Sequence, residues 1–326
     1  MSRPDVTVII PVFNRPRLVI EAIDSTLAQT SPDLEVVVCD NASTDSTWER
    51  IQERARDTPR LRPWRAVENM GPLENWRRGA AMARGRLAAL LFSDDRWQPR
   101  FLERAAPALE DPEVGFVFST VSVERAEGPP LLLYDQFPAG KRPMAEFVAR
   151  HLGLENGRHV PSSPGCALFR TKDLVDGLEA TWPDPHGIGF ARHGAGPDLW
   201  VYLAAATRYP ALVHLAEPLV VFRDHRDTLT RSPGVSLGYA AARQRFVDQV
   251  GVMGLTPGEW SVAQMSRIGH LDDGAASAAL MSMIRPRPSA WARWTLGVRR
   301  PASAWWSRRR HGGRRPSPGG GDPAGS

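Results

Sequence analysis

The sequence predicts an α/β fold: a doubly wound, mostly parallel sheet flanked by helices, then C-terminal helices and a basic tail. Three observations carry this. Short apolar, β-branched runs alternate with amphipathic stretches of helical period. The strand runs are almost continuously apolar, as in a sheet covered on both faces. The unusual polar clusters of the first hundred residues each follow one of these runs directly, at the carboxyl ends where open α/β sheets bind ligands.

Residues 6–10 read Val-Thr-Val-Ile-Ile, a strand closed by Pro11. Residues 16–29 are amphipathic, with Pro16 placed for a first helical turn. The pattern then repeats: a strand over 34–39, a polar loop over 40–45 and a helix over 47–56. A third strand over 61–67 leads through Glu68-Asn69-Met70-Gly71-Pro72 into a helix over 73–84, and a fourth strand over 87–92 ends at Ser93-Asp94-Asp95. Residues 114–123 read as a strand, and 128–164 as an irregular Pro/Gly-rich region holding one helix over 144–152. Residues 166–170 are strand-like, and 187–197 form a mobile loop rich in Gly and His. Beyond it come an apolar helix over 198–206, one or two strands over 212–222, a helix over 237–250 and helical segments over 257–283.

Composition narrows the function. The formal charge of +5 is unevenly spread: residues 285–326 hold ten Arg and one acid, leaving 31 basic against 35 acidic residues before them. An acidic body argues against a nucleic-acid groove and assigns the tail a separate electrostatic role. The two cysteines, Cys39 and Cys166, have neither disulfide-framework nor thiolate-zinc spacing. With no signal-peptide pattern and no apolar run of about 18 residues, the expectation is a cytoplasmic protein. The tail interleaves Arg with Trp291, Trp294, Trp305 and Trp306. That suits peripheral contact with the inner face of an anionic membrane, and equally a solvated, disordered tail.

Asp40, Asp94 and Asp95 all follow apolar strands, so the fold brings their carboxylates to one rim, where like charges repel unless a cation lies between them. Hard oxygen ligands suit Mg²⁺ or Mn²⁺, which take one or two carboxylates and add phosphate oxygens, so a diphosphate ligand is expected. Singly, such acids also make Asx turns and helix caps. Their joint placement favours the cation.

Four blocks occur in order: Val8-Ile9-Ile10-Pro11-Val12-Phe13-Asn14-Arg15, Val38-Cys39-Asp40-Asn41-Ala42-Ser43-Thr44-Asp45, Glu68-Asn69-Met70-Gly71 with Asn75, and Ser93-Asp94-Asp95. Together they resemble the nucleotide-binding half of family-2 inverting glycosyltransferases, which have the GT-A fold. The resemblance implies a donor site in which Pro11, Phe13 and Arg15 line the nucleotide pocket, with Asn69, Gly71 and Asn75 beside them. It implies that Asp40 receives the base, typically uracil, and that Asp94 and Asp95 face the ribose and the metal. The family often reads Asp-x-Asp at this strand end, and here the first position is Phe92.

Residues 161–170 are similar to the family's acceptor-side segment, and Gly196-Pro197-Asp198-Leu199-Trp200 resembles its Glu-Asp motif. Asp198 matches the general base, and Pro197 replaces the Glu. A carboxylate there would take the acceptor proton and make the oxygen a competent nucleophile. An Asp before an apolar helix is also a favoured N-cap. Phe222-Arg223-Asp224-His225 resembles an aromatic-Arg-x-His element, which implies that His225 helps hold the metal or diphosphate; a lone His after a strand is as often structural.

By resemblance, then, residues 1–125 are the nucleotide-sugar half and 126–250 the acceptor-binding and catalytic half of one domain, followed by helices over 251–284 and the tail over 285–326. The implied activity is metal-dependent, inverting transfer of a sugar from a nucleotide-sugar donor, UDP-linked, to a hydroxyl of a saccharide or lipid-linked acceptor in polysaccharide or glycoconjugate biosynthesis. A catalytically inactive binder of the same fold is the alternative. A dinucleotide oxidoreductase is disfavoured, because the first strand's loop lacks the glycines that pyrophosphate approach needs.

Overall fold

A computed structural model of the chain describes residues 4–31, 33–125, 127–153, 160–184, 187–224 and 234–250. The expected helices over 251–284, the basic tail, His186 and His225 lie outside the described residues.

The first half follows the sequence pattern closely. Strands β1 (Val6–Val12), β2 (Leu34–Asp40), β3 (Leu61–Arg65) and β4 (Leu87–Leu90) alternate with helices α1 (Leu18–Leu27), α2 (Thr47–Ala55) and α3 (Gly71–Ala81). β1 pairs in parallel with β2 on one side and β4 on the other, with Val12 opposite Asp40 and Ile9 opposite Leu90. Every residue of β1 and β2 is buried, as a strand covered on both faces requires. Each fully buried Ile or Val there contributes about 1.5–3 kcal/mol. This register delivers the loops after β1, β2 and β4 to one edge of the sheet.

The second half comprises β5 (Arg96–Trp97), α4 (Phe101–Ala105), β6 (Val114–Glu124), β7 (Leu131–Leu133), β8 (Gly140–Pro143), α5 (Met144–Leu152), β9 (Ala167–Arg170), α6 (Thr171–Glu179), α7 (Phe190–His193), α8 (Pro197–Ala206), β10 (Ala211–Arg223) and α9 (Val235–Val250). The sheet runs in the order β3-β2-β1-β4-β9-β6-β10-β5, with β7 paired to β6 and β8 to β10. β9 is antiparallel to both neighbours, β4 and β6, whereas β6 and β10 are parallel. The sheet is therefore mixed: β9 separates two sets of parallel strands, and the short strands β5, β7 and β8 add antiparallel pairs on β10 and β6.

Three local expectations change. Residues 212–222 form part of one 13-residue strand, bent by register shifts against β6. The fourth strand ends two residues before Phe92, whose ring packs 5.4 Å from that of Trp76. The segment expected as a mobile loop holds α7 and packs against α3. Its His193 is buried, with Nδ1 accepting from Ala195 N–H at 3.0 Å and Nε2 3.0 Å from the Ile188 carbonyl. Burial lowers the His193 pKa, so the ring serves here as a neutral brace. Cys39 and Cys166 are free and buried, and burial pushes both thiols up to about 12. Among the described residues no helix is long and apolar enough to cross a membrane.

Candidate active site

The loops at the carboxyl edge are tied together by side chains. Asn14 N–H donates to Ser43 Oγ at 2.9 Å, and Thr44 N–H returns a bond to Asn14 Oδ1 at 2.9 Å, joining the loops after β1 and β2. Asn41 Nδ2 donates to Asn69 Oδ1 at 2.9 Å, while Met70 N–H donates to Asn41 Oδ1 at 3.0 Å, which adds the loop after β3. Asn14 and Ala42 both sit at positive φ, 52° and 59°, the sparsely populated region often found at functional loops.

These loops border a cavity of about 1340 Å³. Pro11, Phe13, Arg15, Asn69, Gly71, Asn75, Asp94 and Asp95 all line it, so eight of the nine predicted donor and metal residues that are described meet on one surface. The ninth, Asp40, is not among the lining residues. Its carboxylate is fully buried, accepts from Ser43 N–H at 3.2 Å and lies 3.2 Å from Arg65 Nε, while Arg65 also bonds the Ser43 carbonyl at 2.7 Å. Burial raises the Asp40 pKa, and Ser43 and Arg65 oppose the rise. Asp40 thus holds the turn from behind, and its neighbour Asn41 reaches the wall.

Asn75 shows what the wall lacks. Its Nδ2 donates to the Cys39 carbonyl at 2.9 Å, but its buried Oδ1 has no hydrogen-bond partner among the described residues. A buried acceptor left unpaired is unfavourable by about 1–3 kcal/mol, which a ligand N–H or O–H would remove.

At the acidic loop, Asp94 Oδ2 lies 2.6 Å from Arg15 Nη1, and Asp95 Oδ1 accepts from Arg223 N–H at 3.2 Å. Arg223 in turn bonds Glu21 at 2.6 Å. Burial, with Asp94 beside it, holds the Asp95 carboxyl well above its usual range, against the smaller pull of Arg223 and Arg15. A paired, desolvated carboxylate of this kind is relieved by a divalent cation. Asp94 and Asp95 therefore fit Mg²⁺ or Mn²⁺, an ion that takes one or two carboxylates and completes its shell with phosphate and water. Among the described residues no cluster of three or more His, Cys, Asp or Glu could hold a metal, so phosphate oxygens would have to complete the set.

Phe92 occupies the family's first acidic position as an apolar element of the wall. Its ring contacts Trp76 and lies so near Gly165 that a Cβ there would stand 3.0 Å from Phe92 Cδ2. Trp76, missed in the sequence, also lines the cavity; its place beside Asn75 was the available signal.

Asp198, Tyr239, Ser162, Ser163, Tyr134 and Arg192 line the same cavity. Asp198 lies in the first turn of α8, whose N-cap is Gly196, and Pro197 fills a position where no N–H is needed. The N-cap reading of Asp198 is therefore replaced by another: Oδ1 accepts from Gly196 N–H at 2.9 Å and Leu199 N–H at 2.6 Å, and Oδ2 from Tyr239 O–H at 3.0 Å. Burial raises its pKa to about 7, against the pull of these hydrogen bonds. A carboxylate tuned near neutrality and placed on a cavity wall can take a proton from a substrate hydroxyl.

Comparison with known proteins places the chain in a family. The model of the family described as glycosyl transferase family 2 matches residues 7–176. TuaG of Bacillus subtilis, named for teichuronic acid biosynthesis, is 30% identical over 129 residues, spanning 40% of this chain and 51% of that protein. The fold matches S. aureus TarS 1–349 in complex with UDP-GlcNAc with a TM-score of 0.61 at 16% identity, covering 81% of this chain and 71% of that one. It also matches the Pyrobaculum calidifontis mannosyltransferase PcManGT in complex with GDP-Man and Mn²⁺, with a TM-score of 0.51 at 19% identity, covering 95% and 82% of the two chains. The chain spans about half the length of TuaG, so the likeness concerns the matched segment.

Proposed function

The chain belongs to glycosyl transferase family 2, and on that premise we propose that it transfers a sugar from a nucleotide diphosphate sugar to an acceptor hydroxyl, with inversion, in polysaccharide or glycoconjugate synthesis. The observation that carries this reading is that one cavity is lined by the Asp94–Asp95 pair, Arg15 and Asp198.

Pro11, Phe13, Arg15, Asn69, Gly71, Asn75 and Asp94 bind the donor, and Asp40 supports them by holding the turn that carries Asn41. Asn75 Oδ1 accepts a hydrogen bond from the nucleotide, and the rim residue Phe13, 39% exposed, offers a face for the base. UDP is the nucleotide we assign, in keeping with TarS, and the GDP-Man complex of PcManGT makes GDP the competitor. Asp95 and Asp94 would hold a divalent Mn²⁺ or Mg²⁺, which would neutralise charge on the departing diphosphate.

Asp198 accepts the proton of the acceptor hydroxyl as its oxygen attacks the anomeric carbon, and the bond from that carbon to the diphosphate oxygen breaks on the opposite face. A saccharide or lipid-linked acceptor enters beside Ser162, Ser163 and Arg192. Peripheral membrane contact is assigned to residues 285–326.

Thermal stabilisation by UDP, GDP, dTDP and CMP, each with and without Mn²⁺, tests the donor half. Metal-dependent stabilisation by UDP is expected; the absence of any metal-dependent stabilisation would refute the reading.

A further inference from the structure

Of the polar residues on the acceptor wall, Asp198 and Tyr239 form the most fully specified pair, and Tyr239 lies outside the segment matched by the family. It belongs to α9, 41 residues beyond Asp198, and its hydroxyl donates to Asp198 Oδ2 at 3.0 Å.

The contact is held by backbone packing on both sides. Gly196, two residues before Asp198, lies so close to α9 that a Cβ on it would stand 2.6 Å from the Gly238 carbonyl oxygen. Gly238, immediately before Tyr239, faces the Ala195 carbonyl just as closely. Helix and turn thus meet backbone to backbone, an approach that only residues without side chains permit. The Tyr239 ring is thereby delivered to one place.

We propose that Tyr239 is a positioning residue for Asp198: its hydroxyl fixes Oδ2 at the cavity wall, as the Gly196 and Leu199 N–H groups fix Oδ1. This rests on the reading of Asp198 as the base. With Oδ1 occupied by two donors, Oδ2 is the atom that receives the acceptor proton, and its second lone pair is the one left for substrate. Tyr239 keeps its own proton throughout, because burial and the Asp198 charge hold its phenol well above its ordinary range.

The surroundings isolate this bond as the adjustable one. Among the described residues, the groups facing Asp198 are the N–H groups of its own turn, Tyr202 in the same helix and Tyr239 from α9. Tyr134 and Arg243 face Tyr239, and His193, on the neighbouring α7, is engaged by Ile188 and Ala195. Of the donors to the carboxylate, Tyr239 is the one a side-chain substitution can remove.

The test needs no substrate. Full-length protein labelled with ¹³C at the Asp carboxyl carbons is titrated by NMR, with Asp198 assigned from the signal missing in Asp198→Asn. Losing a donor to the charged form raises a carboxyl pKa, so Tyr239→Phe should move the Asp198 midpoint up by about one pH unit. A second titration uses native protein labelled at tyrosine Cζ, and so does not depend on the variant folding. There the Tyr239 signal should step at the Asp198 midpoint. An unchanged midpoint in Tyr239→Phe, or a flat Tyr239 signal in the native protein, overturns the inference. The role of Asp198 is tested separately: full UDP release from UDP-N-acetylglucosamine by Asp198→Asn would remove the catalytic reading and leave the titration result standing.

Discussion

Arg15 Nη1 and Asp94 Oδ2 meet at 2.6 Å with side chains only 19% and 17% exposed, so the loop after β1 is clamped to the loop after β4 across the donor wall. The guanidinium also offsets charge beside Asp95. Replacing Arg15 by Ala should raise the donor KM by about tenfold or more, the scale expected when one partner of a partly buried charged pair is lost. Arg15→Lys should recover part of the loss, because a point charge replaces the guanidinium without its second donor. Initial-rate measurements over a donor series decide both.

Asp95 is the more buried acid, and its pKa is raised by desolvation and by Asp94. Asp95→Asn should abolish the Mn²⁺-dependent part of UDP stabilisation, whereas Asp94→Asn should reduce it. Differential scanning fluorimetry across a Mn²⁺ series separates the two, and equal retention in both variants would exclude the pair as the metal site.

For Asp198 the folded pKa of about 7 lies above the unfolded value of about 3.9. Its contribution to stability is therefore fully present below about pH 4 and is lost as pH rises through about 7, at up to about 1.4 kcal/mol per pH unit. Asp198→Asn should flatten this segment of the stability curve, so that the variant gains on the native protein between pH 5 and about 7. Urea midpoints on a pH grid make the comparison.

Gly194 takes φ +70, and a side chain there would run into the Trp76 indole. Gly194→Ala combines a left-handed backbone with overpacking, and a loss of about 2 kcal/mol or more is expected. Chemical denaturation measures it. Because Trp76 borders the cavity, its fluorescence in the folded variant should also shift.

Asn75 Oδ1 is the cavity-lining buried acceptor that has no partner among the described residues. Asn75→Ala should weaken UDP binding by about tenfold. Calorimetric titration of UDP should show that loss, while the affinity of Mn²⁺ alone should change little.

The first four strands were legible because apolar runs alternate with helical stretches and lead into polar loops, although β1 continues through Pro11 to Val12 instead of closing there. That the loops carrying Arg15 and Asp94 share one rim followed from the strand alternation, but their ion pair did not. Asp40 was harder. Nothing near it in the chain announces that Arg65, on the next strand, covers its carboxylate. The direction of β9 was equally hidden, since Cys-Ala-Leu-Phe-Arg reads the same in parallel and antiparallel pairing. Tyr239 had no local mark, because its role depends on two glycines more than forty residues apart. Pro197 looked like a defect in a motif and proved to suit the start of α8.

The strands before and after residue 125 are interleaved in one sheet: β9 lies between β4 and β6, and β10 lies between β6 and β5. Among the described residues that sheet is continuous from β3 to β5, one frame under both sets of loops. On the proposed function, adjustment to ligands is expected in the rim loops and side chains. Small-angle scattering should accordingly record the same radius of gyration with and without UDP and Mn²⁺, even where turnover is paced by release of the spent nucleotide.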